Sequence, residues 1–212
     1  LIIIKFIYLA DGIFEMNKIP IVFTFDNNLV MPACVCISSL LHAAAQETFY
    51  DIFILHSEKC DFSQTPLAEY PKIFSNCNIT FRVVHSEFIS AFEIRGITTT
   101  AYYRLLIPEI IYEYDKVLYS DVDVVFREDL SSYYNENLDG YYMAGVDNGS
   151  ALRPAVQKYI KDQLGVDHKY GHFYSGNLVI NSAEILKDNL IPKFRELAKN
   201  DFHQQDMDII NI

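Results

Sequence analysis

KVLYSDVDVVF, residues 116–126, holds two aspartates inside an apolar run. The apolar and β-branched residues on both sides of the pair predict buried strand before and after it. Asp121 and Asp123 repel each other there and lose part of their hydration, which is unfavourable unless a positive charge compensates. No Lys or Arg lies within three residues on either side of the pair. The position therefore favours a divalent cation held by the two carboxylates, and the alternative is a solvated acidic turn.

Short apolar runs and helical patterns alternate on either side of this stretch. Strand–helix alternation at such spacing predicts βαβ units and an α/β domain with a mostly parallel sheet. The other predicted strands are residues 19–25, 50–56, 78–84, 141–146 and 177–181. The predicted helices are residues 29–45, 64–74, 101–111 with a possible end at Pro108, and 182–199 with a break at Pro192.

Polar residues near strand ends are candidates for a binding site, because open α/β sheets bind ligands beyond the carboxyl ends of their strands. Asp26 ends the first predicted strand, where an Asx turn or a helix N-cap is the alternative role. Arg104, in an apolar stretch, either extends to solvent or contacts an anion. Ser175 lies in a polar, glycine-containing turn. Asp206 and Asp208 are interpreted as a solvated helix start in preference to part of a metal site.

Composition narrows the classes of protein. The chain has 212 residues, of which 50% are hydrophobic, enough for the core of a single compact domain and too many for a disordered chain. Lys and Arg number 17 against 28 Asp and Glu, a net charge of -11 that argues against nucleic acid as a partner. The four cysteines show no zinc-ligand spacing and are interpreted as free thiols.

The first 15 residues are apolar but too short and too interrupted to span a bilayer. We interpret residues 1–15 as an upstream or added segment, or as an extra strand, with Met16 as the natural start. Residues 16–212 are then a single domain.

Five segments, taken in this order, resemble glycosyltransferase family 8, which includes bacterial lipopolysaccharide galactosyl- and glucosyltransferases and glycogenin. They are IPIVFTFDNN (19–28), TTTAYYRLLIPEI (98–110), KVLYSDVDVVF (116–126), FYSGNLVINS (173–182) and QQDMDIIN (204–211). The resemblance implies a Rossmann-like GT-A fold, with residues 16–212 as a catalytic domain truncated at its C-terminus. It also implies retaining, metal-dependent transfer of galactose or glucose from a UDP-sugar to a glycan or lipopolysaccharide acceptor, with Mn²⁺ or Mg²⁺. The implied location is cytoplasmic, with peripheral association at the inner membrane through parts beyond this chain.

The resemblance gives roles to matching residues. Asp121 and Asp123 would bind the metal, Asp147 would face the acceptor, and Arg104 and Asp206 are the catalytic candidates. Retention would need either double displacement with Asp206 as nucleophile or front-side attack with the departing phosphate as base. The implied nucleotide-sugar site comprises Thr24, Phe25, Asp26, Asn28, Arg104, Asp121, Val122, Asp123, Ser175, Gly176, Asp206 and Met207.

Three features depart from the family pattern. Tyr174 stands where the family often has Asn, Met207 stands where it usually has Gln, and a later segment with a metal-binding His has no counterpart here. A catalytically inactive nucleotide-sugar-binding remnant is therefore one alternative. The SDVDVVF segment also resembles the first motif of haloacid-dehalogenase phosphatases, although in that family the motif opens the domain.

Overall fold

The computed structural model describes residues 16–94, 96, 98–149, 153–166 and 172–212. Residues 1–15, with the predicted upstream or added segment, lie outside the described residues. The described strands are β1 (Asn17–Thr24), β2 (Thr48–Ser57), β3 (Cys77–Val84), β4 (Lys116–Ser120), β5 (Met143–Asp147) and β6 (Phe173–Asn181). They form one sheet in the order β3-β2-β1-β4-β6-β5. The pairs β1–β2, β1–β4 and β2–β3 are parallel, whereas β4–β6 and β5–β6 are antiparallel.

Helices flank this sheet. The α-helices are α1 (Val30–Ala43), α2 (Tyr70–Ile73), α3 (Ile107–Ile110), α4 (Ser131–Tyr134), α5 (Pro154–Tyr159), α6 (Ser182–Lys187), α7 (Ile191–Leu197) and α8 (Asp206–Ile210). Tighter 3₁₀ helices cover Asn27–Leu29, Pro66–Glu69 and Thr99–Leu106, and a π-helical turn covers Ile160–Leu164. Among the helices of the described ranges, none has both the length and the apolar character needed to cross a bilayer.

Two cores lie on opposite faces of the sheet, because successive side chains of a strand point to opposite sides. Ile21 and Phe23 of β1 and Leu118 of β4 pack on the face covered by α1. Val22 and Tyr119 pack on the other face, against α3, α6, α7 and α8. Burial on both faces explains why the strands are nearly continuous apolar runs, as parallel sheets require. The predicted α/β fold with a mostly parallel sheet is confirmed.

The predicted strand over residues 116–126 is wrong beyond Ser120. The backbone N–H of Asp121 still donates to Gly176 O at 2.8 Å, after which the chain leaves the sheet. Val122 is buried in the core on the α1 face, and the N–H of Phe126 donates to Ser39 Oγ at 2.9 Å. The apolar residues after the aspartates therefore pack towards α1 and form no second half of the strand.

Prolines divide three of the predicted helices. The predicted helices 64–74 and 101–111 are each a 3₁₀ helix followed by a short α-helix. Pro71 and Pro108 lie in the first turn of those α-helices, so Pro108 begins a helix where we expected it to end one. The break at Pro192 is confirmed, since α7 starts just before it. A proline lacks the N–H that the helix interior needs, and the first turn tolerates that loss.

Candidate functional site

A pocket of about 460 Å³ lies at the carboxyl ends of β1 and β4, a size typical of small-molecule sites. The first half of β6 and the start of α8 complete its wall. Two of the predicted site residues, Gly176 and Asp147, are not among the residues that line it in the described part of the chain. The predicted residues that do line it are Thr24, Phe25, Asp26, Asn28, Arg104, Asp121, Val122, Asp123, Ser175, Asp206 and Met207.

Arg104 joins the separate walls of the pocket. It is only 6% exposed, and its Nη1 donates to Ser175 O at 2.7 Å and to Ser175 Oγ at 3.1 Å. Its Nη2 donates to Asp121 Oδ1 at 3.0 Å, and its Nε lies 3.1 Å from Asp206 Oδ2. The guanidinium also stacks on the ring of Tyr119, 4.4 Å from the ring centre. Arg104 therefore does not extend to solvent, and it holds two acidic residues in the pocket.

These contacts keep Arg104 charged. Burial lowers the pKa of a guanidinium, but Asp206, Tyr119 and Asp121 together raise the pKa of Arg104 above its ordinary value. The expectation that a divalent cation compensates Asp121 was therefore incomplete. It considered nearby residues of the sequence, whereas the compensating Arg104 lies 17 residues away.

Asp121 is held on one side and open on the other. Its Oδ1 accepts hydrogen bonds from Arg104 and from the Tyr119 hydroxyl at 2.6 Å. Its Oδ2 lies beside Gly176, where a Cβ would be 2.6 Å from that oxygen. Gly176 thus leaves space at the second oxygen, although it does not line the pocket itself.

The second carboxylate of the predicted metal pair, that of Asp123, is exposed at the pocket. One open oxygen of Asp121 and the Asp123 carboxylate match the way Mg²⁺ or Mn²⁺ binds one or two carboxylates together with phosphate oxygens. Within the described ranges, no cluster of three His, Cys, Asp or Glu side chains is placed to hold a metal ion. Asp121 and Asp123 therefore fit a cation whose remaining ligands come from a bound molecule.

Asp206 presents a buried acceptor to the pocket. The residue is 5% exposed, and among the described residues no group donates a hydrogen bond to its Oδ2. The neighbouring Nε of Arg104 directs its N–H to Ala101 O at 2.9 Å, so the contact with Asp206 is one of charge. Burial raises the pKa of Asp206, while Arg104 and Ser175 lower it, and the net direction is upward.

We predicted a solvated helix start at Asp206 and Asp208. The helix start is confirmed, but its solvent exposure is wrong. α8 does begin at Asp206, but both aspartates are buried. Asp208 Oδ2 accepts from the Tyr159 hydroxyl at 2.6 Å and from the N–H of Gln204 at 2.9 Å. This pairing fixes the start of the helix that carries Asp206.

The carboxyl end of β1 and the residues that follow it line another part of the pocket. Thr24 Oγ1 lies 3.1 Å from the Tyr119 hydroxyl, and Phe25 is buried against Phe62 with ring centres 5.0 Å apart. Asp26 Oδ1 accepts a hydrogen bond from the N–H of Asn28 at 2.8 Å, so Asp26 caps the short 3₁₀ helix. The helix N-cap named above as its alternative role is therefore present. Asp26 lines the pocket at the same time.

The predicted acceptor residue lies away from the pocket. Asp147 is exposed at the end of β5, opposite Phe173 of β6. Its neighbour Asn148 approaches the pocket more closely, with Nδ2 3.7 Å from Sδ of Met207. The acceptor role of Asp147 stays a prediction.

Sequence reasoning missed several residues of this region, among them Tyr119 and Gln205. Tyr119 links Thr24 to Asp121 and supports Arg104, and its position in the quoted run 116–126 was the available signal. Gln205 is 2% exposed, lines the pocket, and has a φ of 52°, a left-handed conformation that is uncommon for a residue other than glycine. Such backbone strain concentrates at functional sites, but the sequence gives no sign of it.

Comparisons with known proteins agree with this geometry. The model of glycosyl transferase family 8 matches residues 20–212. A structure of the galactosyltransferase LgtC in complex with donor and acceptor sugar analogs superposes with a TM-score of 0.76 at 26% identity, covering 91% of this chain and 69% of LgtC. The bifunctional glycosyltransferase WbbM gives a TM-score of 0.77 at 23% identity, covering 95% of this chain and 38% of WbbM.

More distant structures share the fold alone. Mouse xyloside xylosyltransferase 1 gives a TM-score of 0.65 at 14% identity, covering 92% of this chain and 80% of the mouse protein. No curated protein sequence matches the chain. The GT-A type of α/β fold is confirmed by these superpositions.

Proposed function

We propose that this chain, which belongs to glycosyltransferase family 8, transfers a hexose from a UDP-sugar to a glycan or lipopolysaccharide acceptor with the help of Mn²⁺ or Mg²⁺. The observation that carries the proposal is the pocket at the carboxyl ends of β1 and β4, which is lined by Asp121 and Asp123 on one side and by the ion-paired Arg104 and Asp206 on another. A nucleotide diphosphate supplies the phosphate oxygens that the carboxylate pair needs, and its sugar would lie beside Asp206. LgtC, whose structure holds donor and acceptor sugar analogs, supports this class of ligand.

Each wall of the pocket then has a task. Thr24, Phe25, Asp26 and Asn28 would border the nucleoside at the end of β1. Asp121 Oδ2 and Asp123 would hold the cation, which would neutralise the diphosphate charge when bound. Asp206 would orient the sugar from the opposite wall.

Arg104 is a positioning residue in this proposal. Its N–H groups point at Ala101, Ser175 and Asp121, so the protein itself occupies them. Holding Asp121 and Asp206 in one place fixes the distance between the two ends of the donor. Such positioning contributes much of the rate when a reaction needs little covalent help.

The same ion pair bears on how configuration would be retained. The Oδ2 of Asp206 is buried 3.1 Å from the Nε of Arg104, so this oxygen is not free to attack a sugar. We therefore favour front-side attack over double displacement. In that route the acceptor hydroxyl forms the new bond on the face from which the UDP leaves, and the departing phosphate takes the hydroxyl proton.

Calorimetric titration of UDP with and without Mn²⁺ tests the proposal. We expect binding that requires Mn²⁺ and that weakens about tenfold or more in Asp121→Asn and Asp123→Asn. The exposed Asp139, which lies outside the pocket, gives the matched control Asp139→Asn, and it should bind like the unaltered chain. Hydrolysis of UDP-glucose or UDP-galactose in the same samples reports turnover of the donor.

Other outcomes distinguish the alternatives. UDP binding that ignores Mn²⁺ contradicts the metal assignment but keeps the nucleotide pocket. Mn²⁺-dependent binding without any turnover favours the inactive remnant, for which Met207 in the pocket is the structural argument. Absence of UDP binding under both conditions contradicts the proposed function. Location at the cytoplasmic side of a membrane stays a separate prediction, which fractionation of cells tests.

A further inference from the structure

Tyr174 places an aromatic ring on the wall of the pocket. The ring folds back over Gly176 of the same strand, where a Cβ would lie 2.4 Å from Tyr174 Cε1 and 2.9 Å from Cζ. The same Cβ would lie 2.6 Å from Asp121 Oδ2. The ring and the open oxygen of Asp121 therefore flank one small space above Gly176.

Four charged residues line the same pocket as Tyr174, namely Asp121, Asp123, Arg104 and Asp206. Asp121 and Asp123 form one end of the proposed donor site, and Asp206 forms the other. Tyr174 lines the same pocket as both of these ends. In the donor, the bond between diphosphate and sugar lies between the two ends.

The ring has the properties of a fixed wall. Tyr174 is 43% exposed, so a ligand in the pocket can contact it directly. Its contacts over Gly176 involve ring carbons, so the ring is what crowds the space. An aromatic side chain has two rotatable bonds and presents a rigid face with little loss of conformational entropy.

We propose that Tyr174 is a specificity-determining residue whose ring limits the size of the sugar that enters beside Asp121. The inference rests on the proposed function, because it needs a nucleotide sugar in the pocket. In this proposal the aromatic ring of Tyr174 discriminates between sugars by size, and its hydroxyl does not take part. Removal of the ring enlarges the sugar end of the pocket and leaves the nucleoside end at β1 unchanged.

The test compares donor affinities by calorimetric titration in the presence of Mn²⁺. The ligands are UDP, UDP-xylose, UDP-glucose and UDP-N-acetylglucosamine, which share the nucleotide and differ in the size of the sugar. The variants are Tyr174→Ala, which removes the ring, and Tyr174→Phe, which keeps it. Phe173→Ala is the matched control, because Phe173 is a neighbouring exposed aromatic residue of β6 that is not among the described residues lining the pocket.

In Tyr174→Ala, we expect the affinity for UDP-N-acetylglucosamine relative to UDP-xylose to rise about tenfold or more, the scale on which a pocket discriminates small groups. The affinity for UDP should change less than about twofold, which also shows that the variant is folded. Tyr174→Phe and Phe173→Ala should keep the original ratio. If Tyr174→Ala does not fold, Tyr174→Asn removes the ring in the same way.

An unchanged ratio in the variant without the ring overturns the inference. A ratio that changes as much in Tyr174→Phe overturns it too, since the hydroxyl would then be responsible. In both cases UDP still binds the unaltered chain, so the proposed function stands. A chain that binds neither UDP nor any UDP-sugar contradicts the proposed function, and this inference with it.

Discussion

Arg104 shows how one residue organises a site by contacts with the protein itself. Its planar guanidinium directs separate N–H groups to Ser175 and Asp121 and lies beside Asp206. A lysine has a single ammonium group on a flexible stem and does not match this fork. Because the guanidinium is buried, its loss would leave two carboxylates without their partner.

Replacement of Arg104 should therefore destabilise the fold as well as the pocket. We expect Arg104→Met to lower the free energy of unfolding by about 3–5 kcal/mol, the range for breaking a buried ion pair from one side. The exposed Arg127 supplies the control Arg127→Met, with a change of at most about 0.5 kcal/mol. Urea denaturation measures both. Equal stabilities of the two variants would show that Arg104 does not hold the acidic residues together.

Among the elements, β6 is longer than its sequence indicates. The pattern predicts a strand over 177–181 after a polar turn, whereas β6 begins at Phe173. The polar residues stay in the sheet because Phe173 pairs with Asp147 of β5 and Gly176 O accepts from the N–H of Asp121. A sequence pattern reports side chains only. Residues 173–176 are kept extended by backbone groups from other parts of the chain, which the pattern does not show.

The close approach at Gly176 gives a test of this strand. Gly176→Ala puts a methyl group within 2.6 Å of Asp121 Oδ2 and 2.4 Å of the Tyr174 ring, closer than real Cβ contacts. We expect Mn²⁺-dependent UDP binding to weaken about tenfold or more, since both walls must move. Gly149→Ala is the control, because a Cβ there would have no atom of the described residues within 4 Å. Binding by Gly176→Ala that equals the control would show that the space beside Asp121 is not used.

For the molecule as a whole, the local pattern was sufficient to predict the fold. Buried runs such as 19–25 and 50–56 are nearly the strands observed, because a parallel sheet buries both faces. The rule on strand ends and the family resemblance brought the residues of the candidate site together, but the contacts within it were not predicted. Its assembly depends on contacts that join Arg104 to Ser175 and Asp206, far apart in the sequence, and no local periodicity encodes such pairs.

Stability should fall in alkaline solution. Burial raises the pKa of Cys36 to about 12, of Cys77 to about 11 and of Tyr102 to about 12. A group whose folded-state pKa is raised stabilises fully below its unfolded pKa, and that contribution disappears as the pH rises through the folded value. These thiols and this phenol therefore weaken the fold progressively between about pH 9 and pH 12.

Urea midpoints at pH 8, 9 and 10 measure this decline, and we expect each to be lower than the one before. Cys36→Ala removes one of the titrating groups and should flatten the dependence on pH. A midpoint that rises over this range would contradict the assignment of buried, protonated thiols.

The contacts of Arg104 also impose an order on synthesis. Ser175 follows Arg104 by 71 residues, and Asp206 follows it by 102 residues. At translation rates of about 5–20 residues per second, the guanidinium waits roughly 5–20 s for its last partner. During that interval the Arg104 guanidinium of the ribosome-bound chain lacks the carboxylate of Asp206. The pocket around Arg104 is consequently completed only after the strands on which it stands have been synthesised.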